Sequence, residues 1–293
     1  MSTDQMAPGQ SPAALVKEGD RRPYTTIRAT KGWGNLGLGE VWRYRELLWF
    51  LTVRDIRAAN RQTALGPLWF VVRPLVNMVI FSLIFGRLAN LPTGGIPYPI
   101  FTFTALLPWT YFATATSAAV ASLVNRMGII SKIYFPRLIV PISGVLAALL
   151  DLVLSFVILL GMMVFYRIPP TWLMITLPFF VLFAAATALT VGLWGATLAV
   201  KYRDVVVGVG FLLTAWMYLT PVAYSAALIP ERWQLLYQMN PMYWVVEGFR
   251  WALLGTGKGP DLLMLIPLSA VVVLLISGIF VFRRTERSIV DLL

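Results

Sequence analysis

Six apolar runs, each close to the length needed to cross a lipid bilayer, constrain this chain more than any other feature of its sequence. They are Leu68 to Phe85, Tyr98 to Val124, Leu138 to Tyr166, Trp172 to Val200, Val205 to Tyr224 and Leu262 to Phe282, with turn or charge clusters between them. A spanning helix needs roughly 20 apolar residues. Inside lipid no water is available to the backbone, so each segment must satisfy its own N–H and C=O groups, which selects helices. The expectation is an all-α integral membrane fold with six transmembrane helices. An even number of spans puts both termini on one side. Of the 24 Lys and Arg residues, only Arg87, Arg167, Arg232, Arg250 and Lys258 fall on the opposite side, leaving 19 with the termini. Basic residues concentrate in cytoplasmic segments, so both termini are expected in the cytoplasm of a multi-pass inner-membrane protein.

Composition removes most catalytic chemistry. Charged residues make up 13% of the chain, against roughly a quarter in soluble domains. Cys and His are both absent. Without them the chain has no disulfide, thiol nucleophile, imidazole-based metal site or Ser-His-Asp triad. The net charge of +11 follows membrane topology rather than forming a basic patch, so nucleic acid is not an expected partner.

Residues 1–39 are rich in Gly, Pro, Ser, Thr and charge, and read as a disordered cytosolic tail. Residues 40–65 read as an amphipathic interface helix. At roughly 100° per residue, Arg43, Arg54, Arg57 and Arg61 share one wedge, opposite Val41, Tyr44, Leu48 and Ala59. Asp55 is counted among the residues of this interface helix. Leu47 to Val53 is apolar almost all round, and a helix of this kind lies at headgroup level. Gly66-Pro67 ends it and opens the membrane domain, residues 66–293.

Residues 225–255 do not fit a span. Pro230 and Pro241 cut them into pieces of roughly 10 and 14 residues, the length of re-entrant or interfacial helices, and a re-entrant helical pair before the last span is expected. Glu247 and Arg250 fall at i,i+3 and can offset each other's charge there. Tyr243 and Trp244 stand among the aromatics around them, which also read as an ordinary interfacial belt.

Asp151 lies near the middle of the third span. An acidic group at that depth either pairs with a polar neighbour or lines a translocation path. Two short basic loops remain, Asn125 to Arg137 and Lys201 to Asp204, the second including Arg203 and Asp204. The first carries Lys132, Ile133, Tyr134 and Phe135, and apolar residues on a short cytosolic loop suggest docking to another protein. The stretch Gly255-Thr256-Gly257-Lys258-Gly259 looks like a phosphate loop. Ala252 stands where the first glycine should be, Gly259 replaces the hydroxyl residue after lysine, and the segment is expected to face outside, so the chain holds no ATP by that motif.

Five stretches, RDIRAANRQTALGPLWFVVRPL (54–75), NRMGIISKIYFPR (125–137), KYRDV (201–205), NPMYWVVEGFRWALLG (240–255) and FRRTERSIVDLL (282–293), resemble in order and spacing the permease subunits of type-2 ABC exporters. The nearest subgroup moves lipid-linked polysaccharide of the O-antigen, capsule or teichoic-acid type. The resemblance implies a homodimer of six-span subunits with two copies of a separate ATPase beneath, so that ATP and Mg belong to the partner and this chain carries no cofactor of its own. It implies that the loop matching 125–137 is a coupling helix seated in the ATPase. It also implies that the pair matching 228–254, with Tyr243, Trp244, Glu247 and Arg250, closes the outer end of the channel. A sugar chain needs aromatic faces and sparse polar groups along its path. Trp109, Tyr111, Phe112, Asp151, Trp194, Trp216 and Tyr218 are the candidates. Alternatives are a type-2 exporter of drugs or small lipids, and a membrane enzyme acting on polyprenyl-linked substrates. The enzyme would need acidic and basic groups clustered at one face, where the sequence offers only Arg203 with Asp204.

Overall fold

The computed structural model describes residues 38–60, 68–130 and 135–289. The expected disordered tail up to residue 37, Arg61, Gly66-Pro67, Lys132, Ile133 and Tyr134 lie outside the described residues. Among those described there is no strand, and the chain is a helical integral membrane protein.

In order the helices are α1 (Leu38–Arg43), α2 (Arg45–Asn60), α3 (Trp69–Phe81), α4 (Tyr98–Ile130), α5 (Ile139–Phe165), α6 (Leu177–Lys201), α7 (Asp204–Tyr218), α8 (Glu231–Gln238), α9 (Pro241–Leu254) and α10 (Leu265–Ile289). A π-helical stretch, Ser82–Leu88, continues α3. Four segments are long and apolar enough to cross a membrane: Val71–Leu88, Ile139–Phe165, Trp172–Lys201 and Leu262–Thr285. They coincide with the first, third, fourth and last expected spans.

The second and fifth expected spans correspond to α4 and α7, and differ from the other four for separate reasons. With 33 residues, α4 is about 50 Å long, but its threonines, Trp109 and Tyr111 lower its hydropathy. It can carry them because it is enclosed: Ile100 to Trp109 are all buried. Thr104 and Thr110 donate to the carbonyls of Ile100 and Leu106, at 2.8 and 2.7 Å, which lets a hydroxyl sit inside the bundle without an outside partner. Helix α7 has 15 residues and is the shorter apolar element.

Packing is organised on α4, which lies against α3, α5, α6, α7 and α9. Small residues set its closest approaches. A Cβ on Gly192 or Gly195 of α6 would stand 2.4 Å from the Ala119 side chain or 2.6 Å from that of Val120. One on Gly144 of α5 would be 3.1 Å from Ala118. Close helix approach through small residues is what holds helices together where lipid offers no hydrophobic contrast. The outside of the bundle is apolar: Val153, Val157 and Phe165 of α5, Val207 and Phe211 of α7 and Val273 of α10 are exposed, an arrangement that suits lipid rather than water.

The interface segment is two helices joined at Tyr44. The hydrogen bonds from Tyr44 N to Glu40 O and from Leu48 N to Tyr44 O carry the helical ladder across the junction. Helix α2 packs on α5 with Leu51 and Thr52 buried, while Trp42, Trp49 and Phe50 are exposed. Arg43 and Arg57 face outward and Arg54 is half-buried. Glu40 accepts from Arg283 at 2.8 Å, joining α1 to α10.

Candidate functional site

The residues expected at the outer gate gather around α9. Local sequence defines this helix at both ends. Asn240 accepts from Met242 N at 3.0 Å as N-cap, Pro241 opens the first turn, and Gly255 closes the helix in the left-handed region at φ 66°. The phosphate-loop lookalike is therefore the exit of a helix. A phosphate loop must lead into a helix N-terminus, where the unpaired N–H groups are. Here Lys258 N donates to Glu247 Oε2 at 3.2 Å, and Lys258 Nζ lies 3.0 Å from Asp261. The hydrogen bond from Lys258 holds the exposed Asp261 carboxyl below its ordinary pKa.

Every residue from Met242 to Arg250 is buried, Glu247 to 3% exposure and Arg250 to 1%. The expected i,i+3 pair forms, with Arg250 Nη1 2.8 Å from Glu247 Oε1. The pair is only part of the arrangement. Arg250 also donates to the carbonyls of Pro221 at 2.6 Å, Val222 at 2.8 Å and Tyr224 at 3.2 Å, and its guanidinium lies 3.8 Å from the Phe101 ring centroid. One side chain thus holds the backbone that follows α7 against α4 and α9. Tyr98 of α4 donates its hydroxyl to Ala223 O in the same turn. Asn240 does the equivalent at the start of α9: it accepts from Trp216 Nε1 at 3.1 Å and donates to Thr220 at 2.9 Å. Trp244 Nε1 donates to Gln238 O at 2.7 Å, fixing α8 to α9, and its ring meets Tyr243 edge-on at 5.5 Å. Where α9 crosses α6, Gly248 leaves room for Phe180: a Cβ there would stand 2.2 Å from the ring.

At the other end of α4, a second cluster joins three elements. Arg126 donates to Asp55 of α2 through Nη2 and to Ser143 of α5 through Nη1, the latter at 2.9 Å. Ser143 Oγ lies 3.3 Å from the same Asp55 oxygen and donates to Val140 O at 2.8 Å. Arg54 Nη2 approaches the other Asp55 oxygen at 3.3 Å. Burial pulls the Arg126 guanidinium below the usual arginine range, and Asp55 opposes that pull. Of this cluster the sequence points to Asp55 and Arg54, but not to Arg126 or Ser143. No local pattern pairs Asp55 with a residue 71 positions away.

Phe135 departs from the expectation of an exposed docking aromatic. It is 7% exposed and packs into a cluster with Leu123, Leu138, Val140, Leu193, Ala196, Ile279 and Phe282. Its ring is spent on the chain's own core, so it anchors the α4–α5 connection rather than presenting itself to a partner. Asn125 is exposed and Arg137 half-exposed at the two ends of that connection. Arg203 and Asp204 are exposed at the α6–α7 turn.

The seven candidate path residues do not line one passage within the single chain. Trp109, Tyr111 and Phe112 are buried on α4, and Trp216 of α7 stacks edge-on with Phe112 at 5.1 Å and Trp109 at 6.5 Å. Trp194 lies between α6 and α10, donating to Leu274 O at 3.2 Å. Tyr218 is exposed at the end of α7. Asp151 borders a cavity of about 30 Å³ with Arg73, Thr110, Tyr111, Thr114 and Ser155. Among the described residues no three acidic side chains come together as a metal ion would require.

Residues 46–254 match the family described as ABC-2 type transporter. The chain is 32% identical over 254 residues to the O-antigen export system permease protein RfbA of Myxococcus xanthus, covering 84% of this chain and 96% of that protein. It is 23% identical to an O-antigen export system permease protein RfbA of Klebsiella pneumoniae, over 85% and 95% of the two chains. It is 26% identical to the inner membrane transport permease YadH of Escherichia coli K12, over 65% and 77%. The family match takes in α2, the α4–α5 connection and all of α9, the elements that carry both clusters, and the chain belongs to the ABC-2 type transporter family.

Proposed function

We propose that this chain is the membrane permease subunit of an ATP-driven exporter that moves lipid-linked polysaccharide of the O-antigen type across the inner membrane. The observation that carries this reading is the similarity to O-antigen export permeases over nearly their whole length, 96% of one and 95% of another. Two chains form the permease, each contributing six spans, α3, α4, α5, α6, α7 and α10. Two copies of a separate ATPase, which bind ATP and Mg, dock on the cytoplasmic side. Both termini lie there too. Residues 1–39 form the tail, 40–65 the interface region and 66–293 the permease domain.

In this reading α8 and α9 form a re-entrant pair at the outer face. Their lengths, 8 and 14 residues or about 12 and 21 Å, fall short of the roughly 30 Å hydrocarbon core and favour that placement. The 125–137 connection and the exposed Arg203 and Asp204 at the α6–α7 turn face the ATPase. The glycan passes between the two copies. A path residue must then lie on a protomer's surface, which favours Tyr218 over the buried Trp109, Tyr111 and Phe112.

The test is co-expression with a candidate ABC ATPase from the same organism and purification through a tag on this chain. The ATPase is expected to stay bound in detergent and to hydrolyse ATP. Recovery of the chain without any ATPase, under conditions where it remains folded, would remove the basis of the reading.

A further inference from the structure

We propose that Asp55 is the residue through which the surface helix α2 positions the α4–α5 connection, so that this connection moves with α2 when ATP is hydrolysed. The proposal rests on the reading of that connection as the ATPase contact.

Asp55 falls one turn after Leu51 and Thr52, on the face of α2 that packs against α5. A carboxylate on a packed face is costly unless an opposite charge meets it. Arg126 meets it, with side-chain exposures of 14% for the arginine and 18% for the aspartate. The position of Arg126 gives the pair its meaning. It stands one turn before the end of α4 at Ile130, while Ser143, its second partner, lies in the second turn of α5. One carboxylate therefore grips the chain on both sides of the 131–137 connection.

Anchoring alone would not need charge. Phe135 and Leu138 already hold the connection by apolar packing. A charged cluster adds direction. The planar guanidinium forks between Asp55 on α2 and Ser143 on α5, and α2 cannot shift along α5 without breaking one branch of the fork. The exposed aromatics of α2, Trp42 on the preceding helix, and Arg57 seat this segment at the membrane surface. Asp55 thereby refers the connection to that surface. The groups Asp55 meets, Arg126, Arg54 and Ser143, belong to this chain, and the role assigned to it is positional.

The experiment uses the permease with its ATPase in proteoliposomes, measuring ATP hydrolysis and polysaccharide transport for wild type, Asp55→Asn, Asp55→Glu and Arg126→Gln with Asp55→Asn. Asp55→Asn is expected to keep its ATPase and to hydrolyse ATP within about twofold of wild type, while transport per ATP falls about tenfold. Asp55→Glu should recover most of the transport, and the double variant should be no worse than the single. Wild-type transport per ATP in Asp55→Asn would overturn the proposal. So would equal failure of Asp55→Glu with both variants melting early, since that marks a structural brace only. Should Asp55→Asn not accumulate, Ser143→Ala carries the test: it removes one branch and should lower transport per ATP about threefold, and no change would overturn the idea. If wild type itself holds no ATPase, the underlying reading falls; if wild type couples and Asp55→Asn couples equally, only the present proposal does.

Discussion

Arg250 lies 2.8 Å from Glu247 with both side chains buried, yet three of the arginine's other acceptors are backbone carbonyls 26 to 29 residues earlier in the chain. The two residues are therefore unequal partners. Glu247 balances one charge and accepts from Lys258 N, whereas Arg250 also satisfies the carbonyls that follow α7.

Arg250→Met should accordingly be the harsher change. It leaves a buried carboxylate without its cation and three carbonyls without a donor, and breaking a buried pair costs about 3–5 kcal/mol. Glu247→Gln keeps a hydrogen-bonding side chain in place and should cost less. The double variant should resemble Arg250→Met rather than recover, because the carbonyls remain unserved. Melting of the detergent-solubilised protein checks the order. Full recovery in the double variant would mean that the ion pair alone matters.

Glycines on two helices should respond with opposite signs. Gly248→Ala drives a methyl to within 2.2 Å of the Phe180 ring, and such overpacking costs about 1–3 kcal/mol. Gly161→Ala on α5 meets nothing within 4 Å and should stabilise by about 0.5–1 kcal/mol through helix preference. Phe180→Leu should restore part of the Gly248→Ala loss. Equal melting temperatures for all three would contradict the packing described for α6 and α9.

How far these features could be read from sequence depends on how local they are. Asn240-Pro241 and Gly255 bound α9 by capping chemistry within a few residues, and Glu247 with Arg250 is an i,i+3 relation, so both were legible. The carbonyls served by Arg250, and the Arg126 that meets Asp55, are joined only by the tertiary fold. Phe135 shows the limit from another side. An aromatic on a short loop between helices can turn toward a partner or back into the bundle, and its identity does not say which. Helix α4 is legible as an apolar run but not as the centre of the bundle. Its threonines make it look less buried than the lipid-facing helices, and Thr104 and Thr110 fit by donating to carbonyls a turn earlier.

Phe135→Ala should act first on stability. Removing a buried phenylalanine costs about 3–5 kcal/mol, and the α4–α5 connection loosens with it. Phe135→Leu should retain most of the stability, since Leu123, Leu138 and Ile279 can close around it. Thermal melting together with ATPase retention tests the assignment. Loss of the ATPase with an unchanged melting temperature would return Phe135 to the role of a docking residue.

Orientation can be read by chemistry because the chain has no cysteine. A cysteine at Tyr202, exposed in the α6–α7 turn, should be shielded from a membrane-impermeant thiol reagent in intact cells. One at Thr93, between α3 and α4, should react. The reverse pattern would invert the topology and place the Asp55 cluster on the outside.

The most direct measurement is made in the cell. Deleting the gene for this chain should abolish surface O-antigen-type polysaccharide, leave lipid-linked polysaccharide accumulating on the cytoplasmic side, and be reversed by supplying the intact chain but not a Glu247→Gln, Arg250→Met variant. Unchanged surface polysaccharide in the deletion strain would contradict the account.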